Sequence, residues 1–148
     1  ESVYTDRLRL NPGAETLLNA CRNAGLYTVL VSGGFTFFAE RVRSRLNIDL
    51  ARSNQLEIID DRLTGNLIDQ AWGTICDGEM KKQTLQTLCQ SRGWEPSDAI
   101  AVGDGANDLP MMSIAGLSVA YHAKEKVRAQ ADVAINGGGL DALLRVLV

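Results

Sequence analysis

A single histidine, His122, stands among 148 residues, which alone excludes a metal centre built from several imidazoles. Cysteine is nearly as scarce. Cys21, Cys76 and Cys89 are odd in number and show no Cys-x-x-Cys spacing, so they read as reduced thiols of a cytoplasmic protein rather than a zinc site or disulfide frame. No apolar run approaches the ~18 residues of a membrane span. The chain opens on the charged stretch ESVYTDRLRL, which does not read as a signal peptide. Positive charge is not in excess either. With a net charge of −3 and no basic stripe carrying aromatics, neither nucleic acid nor a membrane is an expected partner. Linker composition, low-complexity tracts and internal repeats are also missing.

What is present is an ordinary globular composition, 45 % apolar and 22 % charged, at a length that can bury a real core. We expect one domain over residues 1–148, with a hairpin or flap region at 46–78. Asn11-Pro12 reads as a helix start, and Ala14, Leu17, Leu18 and Cys21 keep helical spacing up to a stop at Gly25. Residues 27–31 read as a strand that ends in a Ser32-Gly33-Gly34 loop. Phe38, Ala39, Val42 and Leu46 mark the next helix, with Arg41, Arg43 and Arg45 mostly off its apolar stripe and solvated. Residues 56–59 and 62–68 flank Asp60-Asp61 as the arms of a hairpin, and Trp72 in the loop beyond either packs, the expected role, or covers a site. Residues 80–92 form a helix stopped by Gly93, with Leu85, Leu88 and Cys89 inward. Residues 99–102 are a short apolar run suited to a strand buried on both faces. A helix at 109–115 follows, then strands at 117–121 and 133–135 with a helical piece at 127–131 between them. Leu140, Leu143, Leu144 and Leu147 mark a closing amphipathic helix. This alternation predicts an α/β fold with a mostly parallel sheet covered on both faces.

Three stretches carry chemistry. Gly103-Asp104-Gly105 breaks the strand at 99–102, and its glycines permit a sharp turn and a close backbone approach. Asp104, Asn107 and Asp108 fall within five residues. Two carboxylates and an amide at a strand's carboxyl end suit a hard cation, and ligands of open α/β sheets bind there. An acidic turn with an Asn or Asp helix cap fits the same residues. Ser32-Gly33-Gly34 can cradle an oxyanion or phosphate through its hydroxyl, its approachable backbone and the positive end of the next helix. A plain Gly-Gly turn is the alternative. Lys81 shares the inward helix face with Leu85 and Leu88, whereas Lys82, rotated by ~100°, leans to solvent. An inward ammonium needs an anion or carboxylate beside it, which a phosphoryl group next to Asp104 would supply. Two ordinary surface lysines are the other reading.

Together, Ser32-Gly33-Gly34-Phe35, Lys81 and Gly103-Asp104-Gly105-Ala106-Asn107-Asp108 resemble the second, third and fourth motifs of haloacid-dehalogenase (HAD) superfamily phosphatases. The match is best to their phosphoserine phosphatase (SerB-like) branch. Pro12-Gly13 is similar to that branch's helix start, residues 54–65 to its flap, and residues 111–124 to the sequence after its acidic motif. Glu125 stands where the family usually has proline. The resemblance implies a three-layer Rossmann-like HAD core with a mostly parallel sheet and a small β-hairpin flap. It implies Mg²⁺-dependent phosphomonoester hydrolysis through an aspartyl-phosphate, with O-phospho-L-serine as substrate. Carried over, Ser32 and the Gly33 amide hold phosphoryl oxygens, and Lys81 neutralises phosphate and nucleophile. Asp104 binds Mg²⁺ directly, Asp108 acts through a metal-bound water or a hydrogen bond behind it, and Asn107 contacts phosphate or substrate. The alternatives are another HAD phosphatase or phosphotransferase, or a non-catalytic module that binds phosphate or Mg²⁺. A receiver-like signalling domain fits less well, because no early strand ends in the aspartate it would need.

One family motif has no counterpart. The nucleophile belongs to an Asp-x-Asp pair whose second aspartate serves as acid and base. No two aspartates in this sequence are two apart, and Thr5-Asp6-Arg7 follows no apolar strand. The resemblance therefore puts the central nucleophile strand and nearly all of the helical cap before residue 1, or leaves them out. Residues 1–148 alone are then expected not to turn over phosphomonoesters. The strands ending at Ser32 and Asp104 are expected to show open edges. Those edges await an N-terminal segment or a second chain supplying the missing strand, unless the two flanking strands pair directly. The expected small-molecule partner is a phosphorylated metabolite of the phosphoserine kind.

Overall fold

Two short parallel sheets and one antiparallel hairpin carry the described part of the chain. The computed structural model describes residues 13–60, 62–67, 70 and 76–146. They divide into two compact units, one within Glu1–Cys76 and Gly139–Val148, the other Asp77–Gly138. Asn11, Pro12, Asp61, Ile68, Trp72 and Leu147 lie outside the described residues, as does the side chain of Phe38. Among the described residues no helix is long and apolar enough to cross a membrane.

In the first unit, α1 (Ala14–Asn23) starts after Gly13, whose φ of 79° is the left-handed conformation that glycine adopts without strain. A Cβ there would collide with Asp141 Oδ1 and lie 2.6 Å from Asp141 N, so bulk is excluded as well. β1 (Val29–Phe35), α2 (Thr36–Leu46) and β2 (Leu50–Asn54) follow. Ala14, Leu46 and Ile48 form the core here, with Leu18, Leu30, Val42 and Leu140 packed against it. Arg43 pairs with Glu40 at 2.8 Å and Arg45 with Glu15 at 3.3 Å, both in largely solvated settings where such pairs add little.

β1 and β2 run parallel, and here the structure adds one strand to the sequence reading and corrects one loop. First, Leu50–Asn54 is a strand, although Arg52, Ser53 and Asn54 give it no apolar pattern; pairing with β1 makes it one. Second, Ser32-Gly33-Gly34 is not a loop past the strand's end. The register passes from Val31↔Arg52 to Phe35↔Asn54, four residues along β1 for two along β2, so the three residues form a bulge inside the strand. Glycines adapt to such a distortion readily. β3 (Leu56–Ile59) and β4 (Arg62–Leu67) are the expected hairpin, turned at Asp60 with φ 52°. The closing segment is a 3₁₀ turn, Leu140–Ala142, leading into α6 (Leu143–Val146), rather than one amphipathic helix.

The second unit opens on α3 (Gly78–Ser91), capped by Asp77, whose carboxylate accepts from Met80 N at 2.9 Å. Gly93, at φ 71°, follows its end as expected. Lys81, Thr84 and Cys89 are buried on one face, and Leu85 and Leu88 are half-buried. β5 (Ile100–Gly103), β6 (Leu117–Tyr121) and β7 (Val133–Ile135) form a parallel sheet in that order, with α4 (Leu109–Ile114) and α5 (Glu125–Gln130) in the crossovers. Ala101, Met112, Ala120, Ala123 and Val127 make its core. β5 is not buried on both faces: Ile100, its first residue, is 41 % exposed, and β5 is an edge of its sheet.

Two of the three parallel pairs, β1–β2 and β6–β7, share a fastening at their amino ends. Asp49 Oδ2 accepts from Thr28 N at 2.7 Å and Thr28 Oγ1 at 3.1 Å, while Asp49 N donates to Thr28 Oγ1 at 3.2 Å. Asp132 Oδ2 accepts from Ser118 N at 2.9 Å and Ser118 Oγ at 3.1 Å, and Asp132 N donates back to Ser118 Oγ at 2.9 Å. In both cases the pair sits one residue before a register match, Val29↔Leu50 or Val119↔Val133. The opposite edges of β1 and β5 carry no strand among the described residues.

Candidate active site

β5 ends at Gly103, and the chain crosses Asp104 and Gly105 into a 3₁₀ turn, Ala106–Asp108, before α4. That turn, closed by Asp108 N donating to Gly105 O at 3.0 Å, brings the Asp108 side chain back beneath the loop. Asp108 Oδ2 accepts from Asp104 N at 3.0 Å and from Gly105 N at 3.2 Å. Its other oxygen, Oδ1, accepts from Lys81 Nζ at 2.8 Å. The carboxylate makes no capping bond to α4; its bond to Gly105 N instead caps the 3₁₀ turn at Ala106–Asp108. Gly103 is needed here for space: a Cβ would collide with Asp108 Cβ and lie 2.8 Å from Asp108 Cγ and Oδ2.

Lys81 is 5 % exposed and Asp108 7 %. An ammonium so enclosed would be costly alone. Its partner is the Asp108 carboxylate, a role that sequence reasoning gave to a phosphoryl group. The remaining Lys81 N–H groups have no protein acceptor among the described residues. Lys82 is half-buried, closer to solvent as its helical position predicts.

Asp104 and Asn107 are exposed. The Asp104 carboxylate accepts no hydrogen bond from a protein donor among the described residues. Asn107 Oδ1 folds toward Gly105, 3.0 Å from where a Cβ would stand. The second unit thus gathers Lys81, Asp104, Asn107 and Asp108 at the carboxyl end of β5. Ser32 and Gly33 lie in the other unit, on the bulge in the carboxyl half of β1, with Ser32 half-buried. Among the described residues no group of three or more His, Cys, Asp or Glu side chains could hold a metal alone.

Sequence reasoning named these residues but missed two supports. One is the anchoring of two loop amides by Asp108. The other is Asn54, buried at the end of β2, which the sequence marked only as the first residue of the flap-like stretch 54–65.

A family model described as haloacid dehalogenase-like hydrolase matches residues 1–113. The chain is 61 % identical to a phosphoserine phosphatase of Polaromonas sp., across 99 % of this chain and 62 % of that protein. It superposes with a TM-score of 0.87 on the crystal structure of a probable phosphoserine phosphatase from Vibrio cholerae, at 41 % identity, over 95 % of this chain and 42 % of that one. A structure of a phosphoserine phosphatase described as a phospho-aspartyl intermediate analogue gives 0.86 at 32 % identity, over 95 % and 65 %. The chain spans 33–64 % of the length of the curated relatives compared. The matched motifs, the mixed α/β fold with parallel sheets and the family model agree, and the chain belongs to the haloacid dehalogenase-like hydrolases, on their phosphoserine phosphatase branch.

Proposed function

We propose that the intact enzyme hydrolyses O-phospho-L-serine to L-serine and inorganic phosphate. The covalent step forms an aspartyl-phosphate on the first aspartate of an Asp-x-Asp pair, a motif that residues 1–148 do not contain. The second aspartate protonates the departing seryl oxygen and then deprotonates the water that releases phosphate. The observation that carries phosphoryl transfer is the placement of Asp108, which holds Lys81 on one oxygen and the Asp104 loop on the other. The choice of substrate rests on the 61 % identity to a phosphoserine phosphatase, and the covalent intermediate on the analogue captured in another.

Phosphoryl transfer depends mainly on positioning and on neutralising charge. In this reading Ser32 Oγ and the Gly33 amide donate to phosphoryl oxygens. Lys81 turns its remaining N–H groups to phosphate and nucleophile, and Asn107 contacts phosphate or substrate. The donor set fits Mg²⁺ as one arm of a shared site: Asp104 offers a hard oxygen, without a protein donor, on a loop fixed by its own amide. Mg²⁺ takes one or two carboxylates with phosphate and water, so a site with one carboxylate from this chain suits it. Bound there, the ion would offset the negative charge of the phosphoryl group. Asp108, with both oxygens engaged, acts behind it through hydrogen bonds.

The open edges of β1 and β5 take a strand from the Asp-x-Asp segment or from a second chain. We place the enzyme in the cytoplasm, in keeping with a soluble metabolite substrate and with three thiols none of which is in a disulfide. Phosphate release from O-phospho-L-serine is the test. The intact enzyme should release it only with Mg²⁺, Asp104→Asn should lose roughly 100-fold or more, in line with removal of a main charge-stabilising group, and residues 1–148 alone should be inactive. Preference for another phosphomonoester would move the reading to another phosphatase of the family. Mg²⁺ and phosphate binding without turnover would make the protein a binding module.

A further inference from the structure

β2 ends in two buried polar residues, Ser53 at 4 % exposure and Asn54 at 8 %. A buried amide is costly unless it is hydrogen-bonded, and the bonds made here link distant parts of the first unit. Asn54 Oδ1 accepts a 2.7 Å hydrogen bond from Cys76 N, 22 residues further on. The Ser53 carbonyl accepts from Gln70 Nε2 at 2.7 Å, and the Arg52 carbonyl lies 3.9 Å from Cys76 Sγ. The chain leaves β2 for the β3–β4 hairpin and is fastened again to the residues it left. On the other side of β2, Arg52 stands opposite Val31 and Asn54 opposite Phe35. Those two matches bracket the Ser32–Gly34 bulge.

We infer that Asn54 is a positioning residue for phosphate binding: its amide oxygen ties Cys76 to the end of β2, and the end of β2 fixes the far foot of the bulge. This rests on the reading of Ser32 and Gly33 as the phosphate cradle. In this reading Asn54 acts on the cradle through its bond to Cys76 N and the pairing with Phe35. The residue type suits the task. Leucine has similar size but removes the acceptor that Asn54 offers to the buried Cys76 N–H, whereas aspartate keeps an acceptor at the cost of a buried charge.

The test compares wild type, Asn54→Leu and Asn54→Asp in the intact enzyme, by amide hydrogen exchange and steady-state kinetics. The Cys76 amide should exchange slowly in wild type. Asn54→Leu should speed exchange at Cys76 and through β3 and β4. It should also raise both KM for O-phospho-L-serine and the inhibition constant of inorganic phosphate roughly tenfold, the size expected for the loss of one buried hydrogen bond, with kcat less affected. Asn54→Asp should recover part of both. Fast exchange of Cys76 in wild type overturns the inference, whatever the variants do. So does Asn54→Leu with unchanged phosphate affinity, a loss shared equally by kcat and KM, or Asn54→Asp no better than Asn54→Leu. Should Asn54→Leu fail to fold, wild-type exchange and the phosphate affinity of Asn54→Asp decide. A wild type that binds phosphate but does not hydrolyse O-phospho-L-serine removes the proposed function, and the exchange and phosphate-binding arms still judge Asn54.

Discussion

Lys81 Nζ lies 2.8 Å from Asp108 Oδ1, with the two side chains only 6 % and 10 % exposed. Removing one partner from such a pair leaves a buried charge uncompensated, at a cost of about 3–5 kcal/mol. Lys81→Met and Asp108→Ala should each lose stability on that scale in urea denaturation. The double variant should lose clearly less than the sum, because the second change removes the charge that the first one stranded. Additive losses would mean that the pair is not coupled.

Gly103 and Gly105 predict different outcomes for the same substitution. Gly103→Ala drives a methyl group into Asp108 and should cost about 1–3 kcal/mol as an overpacking change. It should also lower kcat of the intact enzyme, because Asp108 holds the Asp104 loop. At Gly105 the new Cβ meets only Asn107 Oδ1, at 3.0 Å, at the end of an exposed side chain. Gly105→Ala should therefore leave melting nearly unchanged. Parallel melting curves and turnover assays check the contrast.

The paired fastenings of Thr28 with Asp49 and Ser118 with Asp132 give a graded expectation. Asp132→Ala leaves the buried Ser118 hydroxyl and amide without their acceptor, costing about 1–3 kcal/mol. Asp49→Ala acts at an exposed site where water replaces the lost bonds, so its cost should be smaller. The asparagine variants should fall between alanine and wild type. Equal losses at the two sites would contradict the role given to burial.

Burial, reinforced by Asp98 and Glu95, pushes the Cys89 thiol above its ordinary pKa, and burial alone raises Cys21. The folded chain then holds the Cys89 proton more tightly than the unfolded chain does. The stabilisation is complete below the ordinary thiol pKa and is lost as pH rises through the raised value. Denaturation midpoints should fall across that alkaline range, and fall less in Cys89→Ala. At mildly alkaline pH a thiol reagent should label half-buried Cys21 before buried Cys89.

Much of this was legible in the sequence where one local signal dominated. Residues 117–121 and 133–135 are apolar runs between turn residues and are strands over those spans. Lys81 is inward because helical spacing places it with Leu85 and Leu88. Features set by tertiary contact were not legible. β2 holds Arg52, Ser53 and Asn54 and is a strand only because β1 lies alongside. Ser32-Gly33-Gly34 has turn-like composition, yet the ladder resumes at Phe35. Asp108 could have capped a helix by its position, and only the return of the 3₁₀ turn aims its carboxylate at Lys81 and two loop amides.

Both fastenings sit where the strands begin, while the bulge of β1 and the Asp104 loop lie toward the strands' carboxyl ends. In the first unit the fastening and the bulge therefore answer to different residues, whereas in the second the Lys81–Asp108 pair serves both cohesion and chemistry. A library that varies exposed Asn107 and leaves Lys81, Gly103, Asp108 and the fastening residues intact should yield many folded members with altered substrate preference. A library that varies Ser118 and Asp132 should lose folded protein before it changes preference at all. In the second unit, the exposed part of the Asp104 loop is open to change over a base that is not.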